Sequence, residues 1–104
     1  MNKEEFLLFL RNHPELASTV FLEKEADFKS FDDLKNNKHS QLFSSYLQKY
    51  RYDFFYIGFD PYKKSWFVAY CDTKSPFLDF ENSNESATYE YVYSALKKHY
   101  LYQK

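Results

Sequence analysis

Glycine is nearly missing from this chain: Gly58 is the single one in 104 residues. Phosphate-cradling loops place several glycines in close succession, so both the P-loop and the dinucleotide fingerprint are excluded. Few turns can rely on positive φ, and ordinary loops between regular elements are expected. Cysteine is equally scarce. Cys71 stands alone, which rules out an internal disulfide and fits a reducing, cytoplasmic setting.

Excess charge is also lacking. Fourteen Lys and Arg stand against fifteen Asp and Glu, a formal net charge of -1, so the whole chain offers no electrostatic footprint for nucleic acid. Long apolar runs are absent as well. The five residues Phe6–Leu10 are broken by Arg11, too short for a membrane span or a signal peptide. His13, His39, His99 and Cys71 show no metal-ligand spacing, so neither a metal nor another cofactor is expected. Cys71 lies in an apolar strand with no elbow or oxyanion turn, which argues against a cysteine nucleophile. No catalytic residue is assigned. Asp79 and Glu81 share one face of a strand, where a solvated edge explains paired acids better than acid–base chemistry.

What the chain has is aromatic side chains. They make up 23% of it, with Tyr 11 and Phe 12. Each buried ring removes roughly 150–250 Å² from water. A single domain over residues 1–104 can therefore build a core without staples.

The aromatic density peaks in Tyr52–Asp72, YDFFYIGFDPYKKSWFVAYCD. β-Branched and aromatic residues on both sides of Asp60-Pro61-Tyr62-Lys63-Lys64 predict a β-hairpin. Asp and Pro at the first two turn positions suit a type I turn. Alternation then sorts the hairpin into two faces. Phe55, Ile57, Phe59, Phe67, Ala69 and Cys71 make an apolar one. Tyr52, Phe54, Tyr56, Gly58, Trp66, Val68, Tyr70 and Asp72 make one rich in amphipathic rings.

Asn2 with Glu5 forms a capping-box pattern for a first helix ending at His13-Pro14. Pro14 can open a second helix with Leu16, Val20 and Phe21 inward, although Thr19–Glu23 reads equally as a short strand. A helical turn is expected at Ser30–Leu34. Ser40 caps a helix with Leu42, Phe43, Tyr46, Leu47 and Tyr50 on one face. Phe77–Phe80 is a strand candidate that would extend the hairpin to a three-stranded meander. Asn82 and Glu85 suggest a capping box for a final amphipathic helix running to about Leu101, with Tyr89, Val92, Tyr93, Leu96 and Tyr100 as its stripe. The order predicts an α+β domain: N-terminal helices, a central antiparallel hairpin or meander, and a C-terminal helix.

Two functional readings follow from the residues. Tyr and Trp anchors are enriched at protein interfaces. Tyr52, Tyr56, Trp66 and Tyr70, rimmed by Asp72, Asp79 and Glu81, suit a basic protein partner. The same rings would be ordinary core if a helix covered them. The alternative is a winged helix, with Gln41, Ser44, Ser45 and Gln48 at a major groove and Lys63 and Lys64 at the wing tip. The balanced charge opposes it.

Finally, Trp66-Phe67-Val68-Ala69-Tyr70-Cys71-Asp72, followed by Phe80-Glu81-Asn82-Ser83-Asn84-Glu85-Ser86-Ala87 with Tyr89, Tyr91 and Leu96, resembles a pattern in small bacterial toxin-immunity proteins. There a W-x-V-x-Y strand precedes an F-x-S/N-x-E-x-A approach to the last helix. The likeness covers the last third of the chain. It implies a cytoplasmic, non-enzymatic protein that neutralises a toxin by binding it. A phage-encoded inhibitor of a host defence system, such as an anti-CRISPR, would share these features.

Overall fold

In a computed structural model, the structure describes residues 1–16, 18–22, 28–50, 53–72 and 76–101, backbone only for the last two. Among the described residues, four α-helices and a four-stranded mixed sheet make an α+β fold. The elements are α1 (Lys3–Asn12), a 3-10 turn (Pro14–Leu16), β1 (Val20–Leu22), α2 (Phe31–Asn36) and α3 (Gln41–Lys49). They are followed by β2 (Phe54–Asp60), β3 (Ser65–Cys71), β4 (Pro76–Asn82), α4 (Glu85–Leu96) and a π-helical turn (Lys97–Leu101). The sheet order is β1-β2-β3-β4.

Local chemistry sets the helix starts. Asn2 accepts the Glu5 N–H at 2.8 Å while Glu5 accepts the Asn2 N–H at 3.1 Å, so the expected capping box forms. Ser30 and Ser40 each accept the N–H three residues on, both at 3.1 Å. At α4 the cap sits at Asn84, which accepts from the Ser86 N–H at 3.0 Å. Asn82, the expected cap, instead accepts the Asn84 N–H at 2.8 Å and shapes the approach. Glu85 becomes the first helical residue, and its carboxylate takes the Tyr89 O–H.

The expected second helix stops after one turn. Leu16 is buried, Thr19 donates its hydroxyl to the Leu16 carbonyl at 2.6 Å, and Val20–Leu22 leave as a strand. β1 pairs in parallel with β2, Val20 against Phe55 and Leu22 against Ile57. Parallel neighbours need a crossover, and α2 and α3 are part of that connection.

The hairpin forms, but its faces differ from those the alternation suggested. The loop closes with four residues, Pro61–Lys64, because Asp60 pairs with Ser65. Asp60 accepts the N–H groups of Tyr62 at 2.9 Å and Lys63 at 3.2 Å, and Lys64 takes a φ of 52° to re-enter the sheet. Counting Asp60 as a fifth loop residue shifts the pairing by one, and one residue of slip exchanges every side chain between faces. Phe55, Ile57 and Phe59 thus share a face with Tyr70, Val68 and Trp66, while Phe54, Tyr56 and Gly58 share the other with Cys71, Ala69 and Phe67.

Each face has its own core. On one, Phe6, Leu16, Val20, Phe55, Ile57, Val68, Tyr89, Val92 and Leu96 pack beneath α1 and α4. On the other, Phe28, Leu34, Phe43, Tyr46, Phe54, Tyr56, Phe67, Ala69 and Cys71 pack beneath α2 and α3. The molecule is a three-layer sandwich with the hairpin at its centre, not a ribbon with one free side. The hairpin is likewise no free wing, because β1 and β4 flank it and helices cover both its faces. Among the described residues, no helix is long and apolar enough to cross a membrane.

Candidate binding surface

The residues expected to form a binding face part company in the structure. Tyr52 lies outside the described residues. Tyr56 is 0% exposed. Its ring stacks on Phe21 at 5.2 Å and Phe67 at 6.0 Å, and its hydroxyl donates to the Phe28 carbonyl at 3.3 Å. It is a core residue, and its assignment as an anchor is corrected. Being on a strand with helices over both faces, it has no route to a partner.

Trp66 and Tyr70 are half-buried at opposite ends of β3. Trp66 leans on the exposed ring of Phe59 at 5.3 Å. Tyr70 donates to the Asp53 carboxylate at 2.7 Å and meets the Phe55 ring at 5.4 Å. Asp72 is half-buried beyond the end of β3, beside Cys71. Only Asp79 and Glu81 come together as exposed side chains on one element, β4.

β4 is the last strand of the sheet, and among the described residues no strand pairs with its outer side. Its ladder with β3 carries a bulge: Val68 faces Phe80 and Ala69 faces Leu78, leaving Asp79 as the extra residue. Phe77 is 52% exposed and Leu78 39%, although both are large and apolar. Beside the strand, Phe80 stacks on Tyr91 of α4 at 4.6 Å with their planes 14° apart. An open groove of about 350 Å³ runs there, lined by Phe80, Ala87, Glu90, Tyr91 and Ser94. Burial, then the Asp79 charge and its hydrogen bond, raise the Tyr91 phenol above its ordinary value, so Tyr91 stays a neutral donor to Asp79.

Sequence reading missed Phe77, Leu78 and the α4 wall as a surface. The signals were present: a proline opening the strand and acids along it mark an edge strand. A second cleft, about 370 Å³, lies between the starts of α1 and α4, lined by Asn2, Lys3, Glu4, Glu85, Ser86 and Tyr89. Its polar groups serve the protein itself, Asn2 in its capping box and Glu85 on Tyr89.

The structure also places the remaining residues weighed for chemistry. Cys71 is fully buried, and desolvation, helped by Asp72, pushes its thiol well above the usual range, so it stays protonated at neutral pH. Among the described residues no three His, Cys, Asp or Glu side chains gather as metal ligands. Gln41, Ser44, Ser45 and Gln48 form an exposed polar side of α3. At the hairpin tip Lys63 reaches Glu81 at 3.5 Å.

No protein-family model matches the chain, and neither does a curated protein or a solved structure. The reading of its function rests on the geometry of the β4 edge.

Proposed function

We propose that this protein is a non-catalytic binding module that inhibits another protein by covering its working surface, as an immunity protein or a phage-encoded inhibitor would. The observation that carries the reading is the β4 edge. There Phe77 and Leu78 stand exposed on a strand with no outer neighbour among the described residues, next to Asp79 and Glu81. Apolar side chains left in water along the edge of a sheet are costly for a lone molecule. They gain once a partner covers them, and carboxylates alongside favour a basic partner such as a nuclease. The pattern shared with toxin-immunity proteins lies over β3, β4 and the start of α4, the same part of the molecule. Half-buried Trp66 and Tyr70 flank the edge as further aromatic contacts.

The test is reconstitution. A protein captured by the wild-type chain from cells that carry the gene is purified, mixed with the chain, and assayed for its own activity. A one-to-one complex that loses this activity is expected. The Phe77→Ser/Leu78→Ser variant should weaken inhibition at least tenfold. Undiminished inhibition by that variant, or turnover of a substrate by the chain itself, would overturn the reading.

A further inference from the structure

Resting on that reading, we propose that the partner docks as an added strand: a short, extended, lysine- or arginine-bearing segment pairs with the outer edge of β4 and drops alternate side chains into the groove between β4 and α4. Strand addition takes its affinity from main-chain hydrogen bonds and its selectivity from pockets for alternate side chains. Both parts are present. β4 supplies backbone groups with no outer strand among the described residues. The groove beside it, about 350 Å³, is lined by Phe80 of β4 and by Ala87, Glu90, Tyr91 and Ser94 of α4, with the Phe80 and Tyr91 rings stacked across it and the small side chains of Ala87 and Ser94 leaving room on either side of Tyr91.

Charge decides the class of occupant. From Pro76 to Leu96 the chain carries Asp79, Glu81, Glu85 and Glu90 and no lysine, arginine or histidine. The whole molecule is near neutrality, so this stretch is acidic by segregation: Glu90 lines the groove, Asp79 reaches it through Tyr91, Glu81 stands further along the β4 edge and Glu85 lies outside it, in the cleft beside α1. Lys63 lies 3.5 Å from Glu81 and the N-terminal ammonium 3.1 Å from Glu90. The Lys63–Glu81 pair is open to solvent and held weakly, and the Glu90 carboxylate is itself more than half exposed, so a partner's cations can compete for both. Glu85 is engaged by Tyr89 away from the groove, and Asp79, beside it, accepts from the neutral Tyr91.

The same charges disfavour a second copy of this chain as the occupant. An antiparallel pairing of two β4 strands centred on Phe80 would set Asp79 opposite Glu81 of the second copy, twice over. Like charges directly opposite are destabilising. The bulge at Asp79 further limits how far an added strand can run in regular register. A short segment fits, and sheet-to-sheet stacking of many copies does not.

The test uses the full chain, isotope-labelled, with three capped decapeptides as probes. One alternates lysine and valine; one alternates glutamate and valine; the third is the lysine peptide N-methylated at alternate residues, which keeps the charge but removes amide donors. The lysine peptide should shift the amide resonances of Phe77–Asn82 and Ala87–Ser94. The glutamate and N-methylated peptides should each bind at least tenfold more weakly, and Asp79→Asn should weaken the lysine peptide severalfold. Four results would overturn the proposal: no binding of the lysine peptide at millimolar concentration, equal binding of the glutamate or N-methylated peptide, shifts elsewhere, or dimerisation of the chain through β4. If the strand mode fails while Phe77→Ser/Leu78→Ser still abolishes inhibition, the partner is bound by side chains alone. If reconstitution fails, the inhibitory reading falls whatever the peptides do.

Discussion

The hairpin β2–β3 and the strand β4 lie side by side in one sheet, yet they meet opposite surroundings. Phe54, Tyr56, Ile57, Phe67 and Val68 are each no more than 1% exposed, whereas Phe77 on the neighbouring strand is 52% exposed. Both stretches are rich in aromatic residues. The difference is position: where a strand has neighbours on both sides and helices on both faces its apolar side chains are covered, Phe59 at the hairpin end excepted, and along an edge strand they are not. Aromatic density thus marks the core of this protein, and its candidate interface lies where that density is lower but uncovered.

The most severe challenge to this contrast is Tyr56→Ala. Truncating a large ring in a closed core costs about 3–5 kcal/mol, and here it also leaves the Phe28 carbonyl without the phenol it accepts from. Urea denaturation should show a loss of this order; one below about 1 kcal/mol, the scale of ordinary surface changes, would mean that the centre is less closed than described.

Gly58→Ala probes the same region by adding volume. A Cβ there would come within 2.7 Å of the Phe67 ring and 2.9 Å of the Tyr56 ring. Both rings are buried and cannot swing away, so overpacking should cost about 1–3 kcal/mol. The glycine is needed for close approach of the rings, not for its backbone conformation, since its φ is not positive.

Alkaline pH probes the closed part of the comparison through one buried acid in the core on each side of the sheet. Burial raises the Cys71 thiol from its ordinary value of 9.0, and burial followed by Glu85 raises the Tyr89 phenol from 10.0. A group raised on folding supports the fold fully below its unfolded value and withdraws that support as pH climbs towards the folded one. The urea midpoint should therefore be level up to about pH 9 and fall beyond it, with the value for an unfolded thiol setting the onset. Cys71→Ala should delay the fall to the phenol range; an unchanged onset in that variant would assign it elsewhere.

The smallest effect on stability is expected at the edge. Phe77→Ser should shift the urea midpoint by no more than about 0.5 kcal/mol equivalent, as for other surface substitutions, while weakening the partner complex. A cost comparable to that of Tyr56→Ala would place Phe77 in the core and dissolve the comparison.

Element by element, much of the local chemistry was readable from the residues. The capping box at Asn2 and Glu5, the helical turn after Ser30, the serine cap at 40, the Asp-Pro turn and the β4 strand all depend on contacts within a few positions, while the α4 cap fell two residues on, at Asn84, because Asn82 instead accepts the Asn84 N–H. The α+β composition follows from them. Three things escaped such reading because they depend on distant segments. Val20–Leu22, equally open to helix or strand by its residues, became a strand, and a parallel one, because Phe55 and Ile57 were there to pair with. The hairpin's faces depended on a loop of four residues rather than five, a difference of one side chain in what Asp60 does. Nearly continuous apolar strands such as Phe54–Phe59 and Trp66–Cys71 mean burial on both sides, but only the placement of α1 and α4 on one face and α2 and α3 on the other made both sides closed. Short-range preferences thus named the pieces, and which rings met water was decided by packing between residues far apart in the chain, because burial belongs to the assembled layers and to no single stretch.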